Sequence, residues 1–346
     1  MRAGNGRLKV FWRAMVTALV LATASFLTAG CASVGGGTTP APSTERSVPL
    51  SPGTTRFFVY VANTNSNSIS AYAVETSSGA LSAVSGSPFT TGTTPRGIAA
   101  DPKGKFVYAA NYGSNDVSAF AIDATTGALA EVTGSPFAAE TGPWDVAADP
   151  TGKLIYVTNY GSDNVSAYVI SSSSGALTEA KGAPFAAGSS PAGVAVDPTG
   201  KFVYVTNNGS ATVSAFTTSS RGGALAEVRG SPFAAGSSPW DIAADPTGKF
   251  VYVANATSAT VSAYTISSST GALKEVRGSP FPAGSSPRGI AIDPTGRYVY
   301  VANYGSNDVS AYAISEITGA LAGTSGSPFP AGSRPGGVAV VAVTGP

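Results

Sequence analysis

The chain has 346 residues, of which 43% are hydrophobic and only 11% charged, with 42 glycines, 24 prolines, one cysteine and no histidine. Without histidine, Ser-His-Asp and Cys-His catalysis are excluded, and a single cysteine leaves neither an internal disulfide nor an ordinary zinc site. The 20 basic and 19 acidic residues are scattered, which excludes the basic face that nucleic-acid binding needs.

The first segment carries Arg2, Arg7, Lys9 and Arg13 and no acid, followed by an apolar run from Ala14 to Leu27. A basic start, a short apolar stretch and small residues at Thr28-Ala29-Gly30 describe a secretory signal, residues 1–30. Cys31 follows at once and resembles the acylated cysteine of a bacterial lipobox, although Thr28 stands where leucine is commonest in that motif. Acylation removes a lone thiol from an oxidising compartment. It also supplies a membrane anchor without a spanning helix. The expected location is therefore the bacterial cell envelope, with release as a soluble secreted protein as the alternative. Removing the four basic residues of the signal leaves 16 against 19 acids, a net charge of −3. Residues 31–53 are rich in Gly, Thr, Pro and Ser and read as a flexible tether.

From residue 54 to 346 one repeat accounts for the chain. The motif Tyr-(Val/Ala)-(Ala/Thr)-Asn starts at Tyr60, Tyr108, Tyr156, Tyr204, Tyr252 and Tyr300, at constant 48-residue intervals. Each unit reads as four strands, shown by the second: Gly97 to Ala100, Lys105 to Asn111, Asp116 to Ile122 and Ala128 to Val132. Turn signals separate them, chiefly Asp-Pro-Lys-Gly at 101–104, in which Pro fixes φ and Gly accepts the left-handed region. The aspartates that open these turns (Asp101, Asp149, Asp197, Asp245 and Asp293) are read as turn residues, not ligands. Strand Lys105 to Asn111 is apolar on both faces, as in a sheet packed between two neighbours. The first strand carries small side chains, which suits convergence on an axis.

These features predict an all-β, six-bladed β-propeller with four-stranded blades. A stacked β-solenoid is the competing architecture, but its coils are usually much shorter. The ends of the array sharpen the choice. The first unit begins at its second strand, Arg56 to Tyr60, and the last is followed by a spare first strand, Gly337 to Val343. The spare strand is expected to complete the first blade and close the ring, which removes two open sheet edges.

The Tyr-Val-(Ala/Thr)-Asn and Asp-Pro-(Lys/Thr)-Gly motifs resemble the YVTN family of β-propeller repeats. Together with Thr-Gly-Ala-Leu and Gly-Ser-Pro-Phe-Ala-Ala-Gly they also resemble the propeller lactonases, which include 6-phosphogluconolactonases. The resemblance implies a propeller, commonly of seven blades where this chain has six. It also implies a lactonase activity that rests on His, Glu and Arg around the central cavity. No residue here can take the place of that His.

In a repeated chain the informative positions are those where the repeats disagree. After the proline that opens each first strand stand Arg96, Trp144, Ala192, Trp240, Arg288 and Gly336, followed by Gly97, Asp145, Gly193, Asp241, Gly289 and Gly337. All should border the channel mouth, with one rim cationic and the other aromatic and acidic. Arg96 and Arg288 can grip a carboxylate or phosphate, and Trp144 and Trp240 can wall an apolar pocket. Asp145 and Asp241 can accept hydroxyl protons, act as general base or hold Ca²⁺, although nothing else in the sequence asks for a metal or cofactor. The bland alternative has Trp filling space and Arg pairing with Asp across blades. Tyr112, Tyr160 and Tyr304, in the turns at the same mouth, can add stacking surface.

Three functions are compatible with this reading. The first is a surface module binding a sugar, a sugar acid or a protein partner, with membrane contact through the lipid only. The second is a lactonase-like hydrolase using Asp145 or Asp241. The third is a structural envelope protein.

Overall fold

The computed structural model describes residues 56–75, 78–219 and 222–338, all of it β-strand, turn and loop. The signal, the tether and Cys31 lie outside the described residues. Six antiparallel sheets follow one another along the chain, each built from one 48-residue unit. This is the six-bladed propeller that the repeat predicts.

The second blade shows the plan. Its inner strand is Pro95–Ala100, followed outward by Phe106–Asn111 and Asp116–Ile122. Every residue of Phe106–Asn111 is buried, because neighbouring blades cover both faces of the sheet. The outer part differs from the expected single strand. Leu129–Glu131 pairs with the far half of Asp116–Ile122, and a second short strand, Phe137–Ala138, pairs with its near half. Between them lies Gly134-Ser135-Pro136. Proline has no N–H to give the ladder, and the Ser135 hydroxyl accepts the Ala119 N–H at 3.0 Å where a backbone carbonyl would otherwise stand. Blades two to six therefore have five strands.

The repeated motifs hold the blades to one another. Tyr108 is fully buried, and its hydroxyl donates at 3.0 Å to the carbonyl of Gly175 in the next blade. Tyr60, Tyr204 and Tyr252 donate in the same way to Gly127, Gly271 and Gly319. Glycine is required at these acceptors: at Gly175, with φ +77°, a Cβ would lie 2.3 Å from the Phe106 ring. Asn111, also buried, donates to Asp116 and Ser118 and so ties its strand to the one beyond it. Asp149 accepts N–H groups from Lys153 and Leu154 at 2.7 and 2.8 Å with one oxygen and from Thr151 with the other. The turn aspartates are thus organisers of the hairpin.

Five seams between consecutive blades each bury one apolar cluster. Between the sixth blade and the first no such cluster occurs among the described residues. Leu81 there is 48% exposed, whereas its counterpart Leu129 is 8% exposed, and Tyr298 is 37% exposed where Phe106 is 6%. Gly336–Val338 nevertheless reaches the inner-strand place after the sixth blade. A Cβ on Gly289 would meet Gly337 Cα at 2.5 Å, just as one on Gly97 would meet Asp145 Cα at 2.6 Å. The rest of the expected closing strand, beyond Val338, lies outside the described residues.

Candidate functional site

The inner strands all start at one end of the channel. Each begins with a proline opposite the buried asparagine of the second strand, as Pro143 stands opposite Asn159, and then breaks register before Asp145. The break places the two residues after the proline at the mouth. A cavity of about 200 Å³ opens there, with Arg96, Trp144, Asp145, Trp240, Asp241 and Arg288 in its wall. Of the twelve positions singled out by repeat disagreement, ten line this one space, the six proposed ligand-binding residues among them; Ala192 and Gly289 do not. Ala62 and Thr64 of the first blade and Gly336–Val338 complete the wall opposite.

The side chains do not separate into a cationic and an aromatic rim. Ala192, fully buried and small, lets Trp144 and Trp240 meet edge-to-face above it, with ring centroids 5.2 Å apart. The guanidinium of Arg96 lies 4.6 Å from the Trp144 ring centre and 5.7 Å from that of Tyr112. Arg288 repeats the arrangement across the mouth, at 4.9 Å from Trp240 and 3.7 Å from Tyr304. The result is one arc, Arg96–Trp144–Trp240–Arg288, joined by cation–π and aromatic contacts. Tyr160 packs on Trp144 at 5.1 Å, so all three loop tyrosines belong to the cluster.

The aspartates turn away from the arginines. Asp145 accepts the N–H of Val146 with one oxygen and that of Val194, in the next blade, with the other, at 2.8 and 3.1 Å. Asp241 does the same for Ile242 and Ile290, at 2.8 and 2.9 Å. Inner strands present an unpaired edge to the channel, and these carboxylates satisfy part of it. Both residues keep some surface open to the cavity, yet protein surrounds their carboxyl groups. Burial pushes Asp145 up to about 6 against the pull of its two N–H donors. Burial, then the charge of Asp145, pushes Asp241 up to about 7. Arg96 is lowered from its usual value by burial and by Arg288, with Tyr112 acting the other way. Among the described residues no three His, Cys, Asp or Glu side chains gather as a metal set.

Three further residues matter to the site. Thr158 donates to the Ala192 carbonyl at 2.5 Å, and Thr206 accepts the Gly193 N–H at 2.8 Å and donates to the Trp240 carbonyl at 3.3 Å. They fix the backbone beneath the two tryptophans. The sequence carried the signal, since Thr replaces Ala before the asparagine in only these two units. Arg334, whose guanidinium lies 5.7 Å from the Tyr304 ring centre, stands where other units have Ser, Thr or Gly.

Comparisons with known proteins agree with the architecture. The family model described as lactonase, seven-bladed β-propeller, matches residues 53–146 and 139–338. A Bacteroides uniformis protein provisionally described as a 6-phosphogluconolactonase is 24% identical, with a TM-score of 0.71 over 81% of this chain and 83% of that one. The periplasmic gluconolactonase of Pseudomonas aeruginosa is 21% identical, with a TM-score of 0.70 over 85% and 87% of the two chains. Hydrazine synthase from Kuenenia stuttgartiensis is 19% identical, with a TM-score of 0.61 over 87% and 92%. At these identities the likeness is one of fold. No match was found among curated protein sequences.

Proposed function

We propose that this chain, which belongs to the lactonase family of β-propellers, binds a sugar-class small molecule, a lactone or a sugar acid, at its channel mouth. The supporting observation is the arc of two tryptophans and two arginines around a cavity of about 200 Å³. The volume is below the roughly 300–1,000 Å³ of pockets that hold drug-sized ligands, and it suits a single sugar ring. Aromatic faces receive the apolar face of such a ring, while few, fixed polar groups orient it. The names of the Bacteroides and Pseudomonas neighbours point to the same chemical class.

The test is direct. Trp144 and Trp240 are the only tryptophans outside residues 1–30, so their fluorescence reports on the mouth. Titration with gluconolactone, gluconate and glucose should give a saturable change in emission for at least one of them. Silence from all of them would overturn the reading.

Lactone hydrolysis is a second reading, favoured by the family match and by carboxyl groups held near neutrality in a cleft. A general base works best with a pKa near the operating pH. Asp145 or Asp241 would have to release one backbone N–H to take a proton from water. Purified protein should then hydrolyse a sugar lactone, and an Asp145→Asn/Asp241→Asn variant should not. Equal rates for the two proteins would remove these residues from the chemistry. Export and lipid attachment at Cys31 belong to the same proposal and rest on the pattern of residues 2–31. A mature protein lacking residues 1–30 and carrying acyl mass on Cys31 is the expected mass-spectrometric result.

A further inference from the structure

We infer that the mouth grips its ligand by an oxyanion, a carboxylate or phosphate, held between the guanidiniums of Arg96 and Arg288. This deepens the small-molecule reading and rests on it. Arg288 Nε is buried with no hydrogen-bond partner. A buried donor without an acceptor is costly to keep, and a native site that retains one is commonly completed by a water, an ion or a ligand. Neither guanidinium has an ion-pair partner among the described residues. The two carboxylates in the same wall are engaged with backbone N–H groups of Val146, Val194, Ile242 and Ile290.

Stacking decides how these arginines can be used. Each lies over two aromatic rings, so its in-plane N–H groups are left as the donors. That fork is the geometry that carboxylate and phosphate accept bidentately. The two cations line the same cavity, where each works against the charge of the other. Two like charges placed together without an acid between them are favourable only once an anion arrives. Glycine at 97, 193, 336 and 337 keeps this part of the wall free of side chains, which leaves room for that anion.

The experiment titrates the purified protein with inorganic phosphate, D-gluconate and neutral D-glucose at constant ionic strength, following tryptophan emission. Phosphate and gluconate should bind, and glucose should be at least tenfold weaker. Arg96→Gln and Arg288→Gln should each weaken gluconate tenfold or more, and Arg288→Lys should recover only part of the loss because lysine lacks the fork. Circular dichroism checks the fold of each variant, and Arg96→Gln decides the matter if Arg288→Gln misfolds. Glucose binding as tightly as gluconate would refute the anion clamp while leaving ligand binding at the mouth intact. Unchanged gluconate affinity in both Gln variants would place the anion elsewhere. No response to any of these probes or to gluconolactone would overturn both readings.

Discussion

Replacing Tyr252 by Phe removes one hydroxyl from a fully buried seam and leaves the Gly319 carbonyl, 3.0 Å away, without its donor. The ring itself stays, so no cavity opens and the cost is that of the hydrogen bond. A net bond contributes about 1 kcal/mol, and an abandoned buried acceptor raises the loss to about 2 kcal/mol. Tyr204→Phe should cost the same, since its hydroxyl meets Gly271 at the same 3.0 Å. The two sites lie in different seams with no shared partner, so the double variant should lose about 4 kcal/mol by addition. Tyr300 is the control: its hydroxyl has no hydrogen-bond partner among the described residues, and it faces the seam where Leu81 is exposed. Tyr300→Phe should change stability by less than about 0.5 kcal/mol. Urea unfolding followed by circular dichroism reads all four variants. If Tyr300→Phe costs as much as Tyr252→Phe, the sixth seam is pinned like the others and the contrast drawn between them is wrong.

Gly97→Ala should destabilise by about 1–3 kcal/mol, because its Cβ would fall 2.6 Å from Asp145 Cα. Gly323→Ala, with nothing within 4 Å of the added methyl, should gain a few tenths of a kcal/mol in a thermal melt. Stability should also fall as pH rises from about 4 to about 7. Asp145 and Asp241, raised to about 6 and 7, keep protons in the native state that the unfolded chain releases near pH 4. The native state therefore binds more protons than the unfolded state across that window, and the stability lost over it is about 3 kcal/mol for Asp145 and about 4 kcal/mol for Asp241. An Asp145→Asn/Asp241→Asn variant should flatten the dependence of the urea midpoint on pH; a wild-type midpoint that rises toward about pH 7 would contradict the assignment. Deleting Gly336 to Pro346 should open the ring and promote aggregation, seen by size-exclusion chromatography, and an unchanged melt would count against closure by this segment.

Much of the fold was legible because the repeat is so regular. The 48-residue interval, the doubly buried second strand and the turn aspartates could be read from residue types alone. The split outer strand could not, since its second half is only two residues, Phe137–Ala138, and depends on a serine hydroxyl standing in for a backbone group. Nor does sequence reveal that Tyr108 reaches Gly175, a contact between residues 67 positions apart. At the mouth, disagreement between repeats located the cluster, but its internal order depends on side-chain direction. The arginines stack on aromatic rings and the aspartates bond to strand edges, so the expected opposition of a cationic and an acidic rim dissolves. The small volume of Ala192, which lets the tryptophans touch, was present in the sequence but silent about its consequence.

The pins at the five packed seams also bear on how such a protein can vary. Tyrosine hydroxyl to glycine carbonyl, ring to bare turn: the same handshake recurs at four of the five seams, with Tyr156 meeting the Thr218 hydroxyl at the other, so duplicating or losing a 48-residue unit would require no new joint to be invented. A lineage could count six where its relatives count seven and still assemble from interchangeable parts. The mouth has no such freedom. Its arc depends on which unit carries Arg, Trp or Ala and in what circular order, so a change in blade number would scramble the pocket while leaving the scaffold sound.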